Sequence, residues 1–222
     1  MFEVVVLRFG SEFSRVDYDG LLSFVSLEKQ ERIKRFAFFG DALNCLLGDV
    51  LARVELCRIT GLSNCGLVFD VNSCGKPFLV NNSNVYYNIS HVGNCIACVV
   101  GDVPVGVDVE LVKPVDVRIV ERFFMPDEQE YVLSSTGDLR NMRFFEVWTK
   151  KESRIKCEGK GLFESLSSFS VFDSLDKSGV FYHCIYNNDG IIGHVCSSKE
   201  ELLPLVRVID INLLLQYVCL FK

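Results

Sequence analysis

No apolar stretch in this sequence reaches the ~18–20 residues that a membrane-spanning helix needs, so no membrane association is expected. A basic leader is missing too. Met1-Phe2-Glu3-Val4-Val5-Val6-Leu7-Arg8 has no cations ahead of its apolar run and reads as a first strand, not a signal peptide. Positive charge is not in excess. The 23 Lys and Arg against 29 Asp and Glu leave a net charge of −6, which excludes general nucleic-acid binding. Any anionic ligand must then be met by local basic clusters. Low-complexity segments and residue-level repeats are absent. So is a disulfide framework: the ten cysteines are scattered, many on apolar faces. Cys95 and Cys98 have a zinc-like spacing, but inside the apolar run Cys95-Ile96-Ala97-Cys98-Val99-Val100 and with no second pair. Reduced, buried cysteines in a cytoplasmic protein are expected.

What is present suits a large core. The chain has 222 residues, 49% of them apolar, enough for one big domain or two of about 100 residues. Residues 2–9 read as a strand, and Ser26 as the cap of a helix from Leu27 to about Phe38. Asp41 starts a stronger helix, with Leu43, Leu46, Leu47, Val50, Leu51 and Val54 as its buried stripe and Gly61 as its end. Gly66 to Val71, Val85 to Ser90 and Cys95 to Val100 read as strands. In the second half, helices are expected over Val115 to Phe124, Pro126 to Leu133 and Asp138 to Glu158. Strands follow at Phe169 to Phe172, Val180 to Ile185, Ile191 to Cys196 and Val206 to Ile211, then an apolar tail from Leu213 to Phe221. The order implies an α+β fold in two similar-sized halves, 1–102 and 103–222, joined near Gly101–Pro104.

Between the halves lies Val105-Gly106-Val107-Asp108-Val109-Glu110-Leu111. It alternates strictly, with an apolar face opposite Gly106, Asp108 and Glu110. Two carboxylates roughly 6–7 Å apart repel. The strand is either an edge with a solvated acidic face or half of a divalent-cation site. Trp148, Glu152 and Lys156, spaced i, i+4, i+8, share a helix face. They form either a surface salt bridge beside a buried Trp, or a third carboxylate ligand followed by a base or phosphate partner. Asn88-Ile89-Ser90-His91 and Gly75-Lys76-Pro77 carry little alone.

Together these motifs resemble the Sfp-type 4′-phosphopantetheinyl transferases in order and spacing. They are Asn88-Ile89-Ser90-His91, Gly106-Val107-Asp108-Val109-Glu110, Phe123-Phe124 with Glu128, and Trp148-Thr149-Lys150-Lys151-Glu152-Ser153 with Lys156. Leu46-Leu47-Gly48 and Gly159-Lys160-Gly161-Leu162 also fit. The resemblance runs from about Leu21 to Cys196. It implies two α/β halves in a pseudo-twofold arrangement, with an active-site cleft between them. It implies transfer of the phosphopantetheine arm of coenzyme A to a serine of an apo acyl or peptidyl carrier protein, releasing adenosine 3′,5′-bisphosphate. By the same resemblance, Asp108, Glu110 and Glu152 hold Mg²⁺ on the coenzyme A pyrophosphate, and Lys156 or Glu128 is the base. Lys150 and Lys151 are candidates for tuning Lys156. His91 meets the ribose 3′-phosphate, flanked by Lys29, Arg32 and Lys76, with Ser90 near the phosphates. Asn44 and Cys45 depart from the family, which often has an arginine and a small hydroxyl residue there. A carrier-docking face is expected over Val115 to Met125, with Arg118, Arg122, Phe123 and Phe124. The length suits the monomeric type that often serves non-ribosomal peptide or polyketide synthesis. The alternatives are a catalytically weak homologue that binds coenzyme A or carrier proteins, and an unrelated Mg²⁺-dependent phosphoesterase.

Overall fold

Two larger sheets stack face to face, each covered on its outer side by a long helix, and a two-stranded hairpin stands apart from them among the described residues. The computed structural model describes residues 1–10, 15–161, 165–172, 179–200 and 204–221. Strand β1 (Phe2–Arg8) is followed by helices α1 (Arg15–Leu22), α2 (Leu27–Ile33) and α3 (Phe39–Thr60). A short hairpin, β2 (Phe69–Val71) and β3 (Pro77–Leu79), leads to the longer hairpin β4 (Tyr86–Val92) and β5 (Cys95–Gly101). The second half repeats the plan: strand β6 (Val105–Leu111), helices α4 (Val117–Phe123), α5 (Pro126–Leu133) and α6 (Gly137–Glu158), then hairpin β7 (Phe181–Asn188) and β8 (Ile191–Ser197).

The plans match in pairing as well. β1 lies antiparallel beside β5 in the order β4-β5-β1, and β6 lies antiparallel beside β8 in the order β7-β8-β6. The tail then crosses back: β9 (Leu205–Ile209) joins the first sheet parallel to β1, and α7 (Ile211–Phe221) packs with α3.

The apolar patterning explains the layering. On β1 and β5, Val5, Leu7, Ile96, Cys98 and Val100 meet Leu46, Val50 and Val54 of α3. Their alternates, Val4, Val6, Cys95, Ala97 and Val99, meet Val105, Val107, Val109 and Val195 of the second sheet. Both faces of the first sheet are therefore covered, which is why these strands are continuous apolar runs. The outer face of the second sheet takes α6, through a cluster that includes Phe145, Ile155 and Ile192.

Some expectations change. Residues 169–172 form no strand; Phe169 and Val171 are buried as loop residues, so their alternation reports burial and not pairing. Arg15–Leu22 is a helix that local periodicity did not reveal, and the apolar tail is helical. The helix after Ser26 stops at Ile33, and the next begins at Phe39. All ten cysteines are free, but Cys65, Cys184 and Cys219 are exposed. Leu162 of the Gly159–Leu162 motif lies outside the described residues. No described helix is long and apolar enough to cross a membrane.

Candidate active site

The site is built by a glycine. A Cβ on Gly106 would stand 2.1 Å from Ser153 O, 2.2 Å from Cys157 N and 2.8 Å from Lys156 C. Only a residue without a side chain lets the α6 backbone rest on β6 this closely. The face of β6 that carries Asp108 and Glu110 is thus roofed by α6, with Asp108 buried and Glu110 half-buried. The same contact brings Glu152 and Lys156 to Asp108. Lys156 Nζ donates to Asp108 Oδ1 at 2.6 Å and to Ser90 Oγ at 3.1 Å; Ser90 Oγ donates to the same Asp108 oxygen at 2.9 Å.

β6 is an edge strand, and β4 satisfies its free edge with side chains. Asn88 Oδ1 accepts from Val107 N at 2.9 Å, and Ser90 Oγ accepts from Val109 N at 3.4 Å. Asp108, between these two bonds, is held from both sides and is only 4% exposed.

The electrostatics leave a deficit of positive charge. Asp108 Oδ2 is buried with no hydrogen-bond partner, a costly state for a carboxylate oxygen. Burial raises the Glu110 carboxyl above its ordinary range, and the Asp108 and Glu152 charges add to the rise. Burial and then Asp108 raise Glu152 in the same way. Three mutually repelling carboxylates and one orphaned oxygen suit a hard cation with oxygen ligands. Among the described residues, no group of three His, Cys, Asp or Glu already stands at metal-binding geometry.

On the other side of β4 lies a cavity of about 700 Å³ lined by Lys29, Arg32, Asp49, Arg53, Phe69, Gly75, Tyr87 and Ile89, among others. Lys29 Nζ is 3.2 Å from Asp49 Oδ1, and Arg53 Nε donates to Asp49 Oδ2 at 2.7 Å. Two cations are thus held at the cavity by one carboxylate. His91, next to Ser90 on β4, is exposed, with its imidazole pushed below the ordinary value by desolvation and by the Lys156 charge, against an opposing pull from Asp41. Asn44 Oδ1 is buried without a partner, and Cys45 is half-buried.

Comparison with known proteins decides what this arrangement belongs to. Residues 104–201 match the family model of the 4′-phosphopantetheinyl transferase superfamily, and residues 12–102 match that of the 4′-phosphopantetheinyl transferase N-terminal region. The chain is 30% identical over 225 residues to 4′-phosphopantetheinyl transferase gsp of Aneurinibacillus migulanus, covering 99% of this chain and 94% of that one. It is 42% identical over 158 residues to ffp of Bacillus subtilis, covering 71% and 70%. With Sfp of Bacillus subtilis strain 168 the identity is 38% over 158 residues, again covering 71% and 70%. The chain belongs to the 4′-phosphopantetheinyl transferase family.

Within this transferase, two residues lie away from their expected places. Glu128, the rival base, is fully enclosed and bound elsewhere. Its Oε2 is 2.8 Å from Lys151 Nζ and accepts from Met125 N at 2.8 Å, closing the capping box of α5; its Oε1 accepts from Val171 N at 2.8 Å. Lys76, expected at the nucleotide end, turns its ammonium to the carbonyls of Val105 and Cys157, each at 3.0 Å. Nor do its two neighbouring lysines face Lys156: Lys150 pairs with Glu146 at 2.8 Å, and Lys151 with Glu128. Two residues that were quoted within motifs but given no role of their own, Gly106 and Asn88, hold the site together: the first seats α6 on β6 and the second accepts from Val107 N. Glycine inside an alternating strand was the available signal for the first. For Asn88 the motif Asn88-Ile89-Ser90-His91 was the signal, but its partner was not legible because the bond spans the two halves.

Proposed function

We propose that this transferase moves the phosphopantetheine arm of coenzyme A onto a serine hydroxyl of an apo carrier protein and releases adenosine 3′,5′-bisphosphate. The observation that carries the reading is the Lys156–Asp108–Ser90 cluster with Asp108 Oδ2 left unpartnered beside Glu110 and Glu152. Asp108, Glu110 and Glu152 would hold Mg²⁺, which when bound supplies charge neutralisation at the pyrophosphate. The serine oxygen bonds to the phosphorus that bears the arm, and the pyrophosphate P–O bond breaks. The serine proton is taken up at Lys156, and the nucleotide leaves with the electron pair of the broken bond. Lys156 is preferred to Glu128 because it lies at the carboxylate cluster, whereas every oxygen of Glu128 has another partner.

His91, Lys29 and Arg32 meet the ribose 3′-phosphate at the cavity, and Ser90 approaches the phosphates from beside Asp108. The repeated strand–helix–hairpin plan supports two halves, 1–102 and 103–222, in a pseudo-twofold arrangement with the site between them. The carrier docks on Val115 to Met125: Arg118 and Arg122 offer charge, Phe123 is half-buried edge-on to Trp148, and Phe124 is core. Ten free cysteines favour a cytoplasmic protein, acting as a monomer in non-ribosomal peptide or polyketide synthesis. Mass spectrometry of an apo carrier incubated with the protein, coenzyme A and Mg²⁺ tests the reading. A gain of one phosphopantetheine unit supports it; no gain on any of several carriers overturns it.

A further inference from the structure

The turn at residues 72–76 belongs to the first half, yet it grips the end of the helix that carries Glu152 and Lys156. One amide does two jobs there. Asn72 Oδ1 accepts from Cys74 N and Lys76 N, both at 2.9 Å, and so fixes the turn. Asn72 Nδ2 donates to Gly159 O at 2.9 Å. Lys76 Nζ donates to Cys157 O and to Val105 O, joining the last turn of α6 to the first residue of β6. A cation on helix C-terminal carbonyls is favoured by the helix dipole. Gly159 closes the fit: with φ +67 it ends α6, and a Cβ there would stand 3.0 Å from Lys76 Cδ and 3.2 Å from Asn72 Nδ2.

We infer that Asn72 and Lys76 are positioning residues: they clamp the C-terminal end of α6 to β6 and so set the register of Glu152 and Lys156 against Asp108. The inference rests on the transferase reading above. The lever is short. Lys156 precedes the gripped Cys157 carbonyl by one residue and Gly159 by three. α6 rises ~1.5 Å per residue, so a slip of that size would break the 2.6 Å contact between Lys156 and Asp108. Gly106 fixes how closely α6 approaches β6; the clamp fixes where along β6 it stops. Lys76 then contributes to turnover without touching the nucleotide.

Steady-state kinetics of Lys76→Met and Asn72→Asp, with coenzyme A and with 3′-dephospho-coenzyme A, separate the roles. The Asp variant keeps the oxygen that holds the turn and loses the donor to Gly159. The clamp predicts that kcat falls about tenfold to a hundredfold, equally with both substrates, while KM for either is unchanged. A rise in KM for coenzyme A at constant kcat, absent with the 3′-dephospho substrate, would make Lys76 a nucleotide ligand and overturn the inference. Unchanged kcat in both variants overturns it too. If the wild type labels no carrier, the transferase reading fails and hydrogen exchange tests the clamp alone. Protection of amides 153–158 must then drop in both variants, and unchanged protection overturns it.

Discussion

Gly106 and Cys157 define how close the two catalytic elements come: a Cβ on the glycine would stand 2.2 Å from the cysteine's backbone nitrogen. Backbone cannot yield as a flexible side chain does, so Gly106→Ala must push α6 off β6. Overpacking a tight site typically costs ~1–3 kcal/mol, and this contact belongs at the upper end or beyond. A thermal melt should show Tm falling by several degrees, and transfer should be lost even in the folded fraction. Unchanged Tm and activity would mean the helix is not seated on this strand.

Glu110 and Glu152 are raised above their ordinary range by burial and by Asp108. A carboxyl raised in the folded state binds its proton more tightly folded than unfolded. Its penalty is absent below the unfolded value and grows as pH rises through the folded one. The metal-free protein therefore loses stability as pH climbs across that window. Near neutral pH, Glu152→Gln should raise its Tm and shrink the gain that Mg²⁺ gives the wild type. Melts across pH with and without Mg²⁺ check both signs.

Glu128 and Lys156 are separated by the kind of damage each substitution does. Glu128 is paired with Lys151 where both are fully enclosed, so Glu128→Gln leaves a buried ammonium without its partner charge and should cost ~3–5 kcal/mol of stability. Its folded fraction should keep its kcat. Lys156→Ala should lose about 10²–10⁴-fold in kcat with a smaller effect on Tm. Denaturant titration beside kinetics reads both, and the reverse pattern would return the base to Glu128.

A fourth prediction follows from His91. Desolvation and Lys156 hold its imidazole below the ordinary value, so it is mostly neutral near neutral pH and gains charge only as pH falls. In the metal-free protein coenzyme A should bind more tightly as pH drops through that lowered value, and the share due to His91 is the difference from a His91→Gln variant, since Glu110 and Glu152 titrate in both. His91→Gln, or 3′-dephospho-coenzyme A, should flatten the dependence.

Particular residues show how much was legible in the sequence. The alternation of Val105–Leu111 gave the right strand and the right apolar face, because one packed face imposes a period of two. What covered the other face was not legible from the strand itself, since α6 lies some 40 residues away; the family resemblance alone put Glu152 and Lys156 beside Asp108. Lys150, Lys151 and Lys156 read alike along the chain, yet they face Glu146, Glu128 and Asp108. Local spacing sets a helix face, and tertiary packing decides what that face meets. Phe169–Phe172 misled for the same reason: burial beside Lys151 mimics a strand's alternation.

Asp108, with Glu110 and Glu152, is proposed as the Mg²⁺ site for phosphopantetheine transfer. Its most direct measurement is the mass of an apo carrier after reaction with coenzyme A, Mg²⁺ and either wild type or Asp108→Ala. One added phosphopantetheine unit is expected with the wild type, none when Mg²⁺ is chelated, and none with the folded variant. Full labelling by Asp108→Ala, or by the wild type without divalent metal, would contradict it.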